Sequence, residues 1–185
     1  MRKSVQMRII LAILLCFFAL APANAQKHAS KQARKEVAWK TYTDTANKVS
    51  IKYPATWERK PVENTVFFFW APYLHNGQKF RENVNLSMGD AQDLYLVEYL
   101  MDARKKMPQE LEEFKEIKSQ YDKINGRDCV RMIYQFRHGG VTFKNVLFIF
   151  LNNGKAYSLN FSALPETFDQ FHSTFEEIAK TFKIK

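Results

Sequence analysis

"VTFKNVLFIFL", Val141–Leu151, is the stretch whose reading decides the fold. From Val146 to Leu151 every side chain is apolar, so a strand here has no face to offer to water. Such a run fits a central strand covered on both sides, which places helices above and below the sheet. Its neighbours alternate instead. In "AYSLNFSA" Tyr157, Leu159 and Phe161 share a face, and in "ENVNLSM" Val84, Leu86 and Met88 do the same. "INGRDCVRMIYQF" opens on Asn125–Gly126, a turn pair that tolerates positive φ, and then aligns Val130, Met132, Tyr134 and Phe136. "HGG" and "NNGK" are two further turns. Strands joined by such short connections run antiparallel.

Working outward, "WKTYTDTANKVSIKYP" reads as two short strands about a turn at Asn47–Lys48. Tyr53–Pro54 stops the second strand, because proline brings no ladder donor and restricts the residue before it. Trp57, three residues on, is expected to fold back as a plug over the sheet end. "TVFFFW", Thr65–Trp70, is strongly β-prone. Asp93 is expected to cap a helix through "LYLVEYLMDARKKM". In that helix Leu96, Leu100, Ala103 and Met107 share a stripe, widened by Val97 and Met101, and Pro108 ends or restarts it. A last helix, about Pro165 to Phe182, carries Phe168, Phe171, Phe175, Ile178 and Phe182 at helical spacing, with Pro165 suited to the first turn. Two amphipathic helices on an antiparallel sheet define an α+β sandwich with helices on both faces.

The start of the chain bears on compartment. "MRKSVQMR" is basic, Ile9 to Ala21 is almost wholly apolar, and "ANA" closes the run at Ala25. This is the pattern of a secretory signal, too short to span a bilayer, with mature protein expected from Gln26. Cys16 lies inside the apolar run behind Leu15, which speaks against a lipid-modified cysteine. The organisation expected is a leader at 1–25, a basic linker at 26–38 and one domain at 39–185. Of the formal charge of +9, the leader carries +3 through Arg2, Lys3 and Arg8. The stretch Gln26–Glu36 carries another +3 through Lys27, Lys31, Arg34 and Lys35 against Glu36. A body near +3 argues against nucleic-acid binding, whereas the linker could touch anionic lipid weakly. Cys129 is then the lone cysteine, so no internal disulfide supports the core.

The order and spacing of "IKYPATW", "NVNLSM", "INGRDCVRMIYQF", "AYSLNFSA" and "FDQFHSTFEEIAKTF" resemble the PsbP-like family, from about Thr41 to Phe182. The resemblance implies an α/β/α sandwich around an antiparallel sheet. Its namesakes are extrinsic subunits of photosystem II that help retain calcium and chloride. A fold relative binds the GTPase Ran, and many secreted bacterial members have no assigned role. No family ion-binding or partner residue maps onto a position here.

The residues themselves suggest little catalytic chemistry. His28, His75, His138 and His172 lack metal-ligand spacing. Cys129 sits within a strand and reads as a buried, inert thiol. Glu110, Glu112, Glu113 and Glu116 are interleaved with Lys115 and Lys118, which reads as a solvated face rather than a calcium loop. No cofactor, metal or catalytic residue is therefore expected. The suggestive stretch is "FFFWAPYLHNGQKF", where Trp70, Tyr73 and Leu74, with Lys79 and Arg81 beside them, lie on a long loop. The expected function is a secreted, non-catalytic module binding or stabilising an envelope component through that loop. One alternative is a small-ligand carrier with an apolar pocket lined by Phe67, Phe69 and Trp70. The other is an enzyme with a noncontiguous site.

Overall fold

The computed structural model describes residues 38–185; the expected leader and nearly all of the linker, Cys16 and His28 included, lie outside them. The chain forms β1 (Trp39–Asp44), β2 (Val49–Pro54), β3 (Glu58–Arg59), β4 (Phe67–Trp70), β5 (Asn83–Asp90), α1 (Leu96–Glu110) and β6 (Glu112–Ile124). It continues with β7 (Arg127–His138), β8 (Val141–Asn152), β9 (Lys155–Ala163), α2 (Pro165–Ala179) and β10 (Lys183–Ile184). The main sheet has seven strands in the order β3-β4-β5-β9-β8-β7-β6, every pair antiparallel.

Strand β8 divides its side chains between two cores, as its unbroken apolar run requires. Val146, Phe148 and Phe150 point to one face, where they meet Val84, Leu86, Leu159 and Phe161 with Phe168, Phe175 and Ile178 of α2. Leu147 and Ile149 point to the other, against Val130, Met132 and Tyr134 with Tyr99, Leu100, Ala103 and Met107 of α1. Helices thus cover both faces, and the α+β sandwich is the fold.

The turns behave as their residues dictate. Asn125 and Gly126 both adopt positive φ, 50° and 76°, the conformation a tight hairpin between β6 and β7 needs. Pro54 ends β2, the Trp57 N–H donates to the Pro54 carbonyl at 2.9 Å, and the indole turns inward. It is 6% exposed and meets Phe171 and Phe175 edge-on. The plug is real, and α2 is what it plugs against.

Several local expectations need correction. The first hairpin stands apart from the main sheet, in a three-stranded sheet β1-β2-β10 that the C-terminal Lys183–Ile184 completes beside β2. Asp93 does not cap α1. Tyr95 occupies that position, and its N–H donates to the Glu98 carboxylate at 2.8 Å. The buried stripe of the helix includes Tyr99, while Val97 and Met101 face outward. Pro108 neither ends nor restarts the helix. It sits in the last turn, where the N–H it lacks would have donated to the backbone carbonyl of the exposed Arg104. Helix α2 stops at Ala179, and Phe182 reaches the core from the turn beyond it.

Candidate functional site

Cys129 is fully buried, and burial pushes its thiol up to about 12, far from the range of a reactive thiolate. His172 accepts a hydrogen bond from Arg131 at 2.8 Å, beside Glu176 on the same helix. Glu113 pairs with Arg137, and Glu116 with Arg104 and Ser119. Among the described residues no group of three or more His, Cys, Asp or Glu is placed to hold a metal ion.

The loop singled out from sequence joins β4 to β5 and is held at both ends. Arg81 donates from Nε to the Ala71 carbonyl at 2.7 Å and from its terminal nitrogens to Glu58 at 2.7 Å and the Trp70 carbonyl at 3.4 Å. The buried Glu82 accepts from Gln78 at 3.2 Å and from the Thr167 hydroxyl in the first turn of α2. The Gln78 oxygen in turn accepts the Leu74 N–H. Lys60 and Arg81 beside Glu58 hold its carboxyl below the usual carboxylate range.

On this frame Tyr73 is 60% and Leu74 41% exposed, and the Arg81 guanidinium lies 4.8 Å from the centre of the Tyr73 ring. Lys79 is exposed as well, whereas Trp70 is half-buried and stacks on Phe68 with ring centres 4.2 Å apart. The five residues are therefore brought together with unequal roles. Tyr73, Leu74 and Lys79 face solvent, Arg81 fastens the loop, and Trp70 forms its root.

The carrier pocket imagined from Phe67, Phe69 and Trp70 does not form. Strand alternation sends Phe67 and Phe69 into the α2-side core, with Tyr42 and Tyr53 packed against them, and Trp70 to the opposite face. That opposite face holds what the apolar reading overlooked. Asn83, Asn85 and Ser87 on β5 lie beside Ser162, Asn160 and Ser158 on β9, with Asn145 of β8 next to Ser162 and Tyr134 of β7 next to Asn145. The signal was present in "NVNLS" and "SLNFS", where the polar residues alternate as regularly as the apolar ones.

These features describe a rigid antiparallel scaffold with a fastened aromatic loop. A family model described as PsbP-like protein matches residues 4–184, and the chain belongs to that family. Among curated proteins none matches it. Solved structures share the fold. Cyanobacterial PsbP (CyanoP) from Synechocystis sp. PCC 6803 is 15% identical with a TM-score of 0.60, over 85% of this chain and 98% of that one. LpqN of Mycobacterium tuberculosis, described as involved in cell envelope biogenesis, is 11% identical with a TM-score of 0.60, over 82% and 92%. A Pseudomonas aeruginosa protein of unknown function is 15% identical with a TM-score of 0.57, over 77% and 94%. Among the described residues no helix is long and apolar enough to cross a membrane.

Proposed function

We propose that this PsbP-like protein is an exported, non-catalytic module that binds or stabilises a component of the cell envelope through the loop from Trp70 to Arg81. The observation that carries the reading is the pairing of exposed Tyr73 and Leu74 with a loop already fastened by Arg81, Gln78 and Glu82. An aromatic and an aliphatic anchor on a preorganised loop lose little freedom on binding, and interface hot spots arise in such places. The apolar leader read from the sequence and the envelope role named for LpqN support the compartment.

The test replaces Tyr73 and Leu74 with serine in one chain. Crosslinking in intact cells should join the unaltered protein to a discrete envelope component, and the double variant should lose that adduct while keeping its circular dichroism and melting temperature. Loss of folding would assign the two side chains to the core. An undiminished adduct from a folded variant would place the contact elsewhere.

A further inference from the structure

Arg127 differs from the other described arginines in what it meets. Arg81, Arg104, Arg131 and Arg137 each pair with a glutamate, and Arg59 lies over the ring of Tyr42. Arg127 donates instead to two neutral oxygens, the Asn152 Oδ1 at 2.8 Å and the Ile184 carbonyl at 3.3 Å. Asp128, next in the chain, is paired with Lys123 at 3.0 Å. A half-buried guanidinium without an anion has lost hydration that nothing in the fold returns.

The group stands at the wall of a cavity of about 480 Å³ that opens to solvent between the β6–β7 turn and β10. Small-molecule sites span about 300–1,000 Å³. The apolar part of its lining is Ile124, Phe150, Phe182 and Ile184, with the Phe150 and Phe182 ring centres 5.2 Å apart. Lys183 and Lys185 line it too, both exposed and neither in an ion pair among the described residues. No carboxylate side chain does. The walls are fixed before any ligand arrives. Asn125 donates to the carbonyls of Lys180 at 2.9 Å and Phe182 at 2.7 Å, and the Lys185 N–H donates to the Lys48 carbonyl at 2.7 Å. A preformed site of this kind loses little freedom on binding.

We infer that this cavity binds a small organic carboxylate, its anionic group on Arg127 and a compact apolar body against Phe150 and Phe182. Two N–H donors of the guanidinium are used on Asn152 and Ile184, which leaves the rest of its fork for a carboxylate. A cation would meet Arg127, Lys183 and Lys185 with no side-chain carboxylate to hold it. A neutral ligand would leave Arg127 as it stands, and an inorganic anion would leave the apolar lining unused. The site lies at the other end of the main sheet from the loop of Tyr73 and Leu74. That loop enters β5 at Asn83, beside Ser162, whereas Asn152 and its partner Arg127 lie at the end where Asp90 meets Lys155. The two surfaces can therefore fail independently.

The test uses the purified, isotope-labelled full chain in NMR titrations with phenylacetate, hexanoate, phenylacetamide and inorganic phosphate. At least one of the two carboxylates should give saturable shifts in the millimolar range, confined to the Arg127 Nε–H and the backbone amides of 124–127 and 183–185. Phenylacetamide keeps the apolar body without the charge, and phosphate keeps the charge without the body; each should bind about tenfold more weakly or worse. Arg127→Gln should weaken carboxylate binding about tenfold or more. Lys183→Ala with Lys185→Ala, at exposed positions, is the second variant should the first not fold, with a loss of about threefold or more expected. Tyr73→Ser with Leu74→Ser should leave the affinity unchanged. Absence of saturable shifts with both carboxylates, shifts mapping elsewhere, equal binding of phenylacetamide or phosphate, or unchanged affinity in a folded cavity variant would each overturn the inference.

Discussion

Trp57 packs edge-on against Phe171 and Phe175 from a turn rather than from a strand, so its place depends on one backbone reversal at Pro54. Truncation to alanine removes a nearly buried indole from a core that only partly collapses. Trp57→Ala should cost about 3–5 kcal/mol, read as a lowered denaturation midpoint at unchanged slope. Cys129 gives a second readout at this scale. With its thiol pushed up to about 12 by burial, it should resist a disulfide reagent at pH 8 in the native protein and react at once in denaturant. Both residues were legible in the sequence, one from its position after a strand-ending proline and the other from its place in an alternating strand. Asn145 was not. Its neighbours in sequence are a lysine and the apolar run, and the network that makes it informative comes from β7 and β9.

The elements were legible where period and turn chemistry agreed. Strands β5 to β9 follow the alternation and the Asn–Gly, Gly–Gly and Asn–Gly turns of their sequence. Alternation carried no facing information in "FFFW", because both sides of β4 are aromatic, and only the register to β5 separates Phe67 and Phe69 from Phe68 and Trp70. In helix α1 the expected stripe of Leu100, Ala103 and Met107 is buried, but it widens toward Tyr99 rather than toward Val97 and Met101, because apolar residues flank it on both sides. The helix is tied to β6 by Arg104, whose Nε donates to Glu116 at 2.8 Å. That guanidinium, with Ser119, holds the Glu116 carboxyl below its ordinary 4.5. A lowered folded value means the stabilisation is fully present above 4.5 and is lost as pH falls through the lowered one. Glu116→Gln should therefore cost about 0.2–1 kcal/mol near neutral pH, and the difference from the unaltered protein should vanish in acid melts. The β6–β7 turn carries a further load. The Asn125 amide donates to the carbonyls of Lys180 at 2.9 Å and Phe182 at 2.7 Å, so Asn125→Ala should cost about 1–3 kcal/mol and loosen the end of α2 in hydrogen exchange.

At the scale of the whole molecule, the sandwich was readable because one strand, β8, had to be covered twice. The separate small sheet was not. A two-residue strand has no period, and β10 exists only because Ile184 finds Val49 from the far end of the sequence. That placement has a mechanical meaning. The Ala38 carbonyl bonds the Ala55 N–H at one end of β2, and the Lys185 N–H bonds the Lys48 carbonyl at the other. Strands β1 and β10 thus run parallel to each other on either side of β2, with their outward ends pointing in opposite directions. A pull applied between residues 38 and 185 acts lengthwise along this sheet. Its rungs are loaded together in shear instead of being unzipped one after another, so stretching the chain by its ends meets the small sheet as a clamp before it reaches the core.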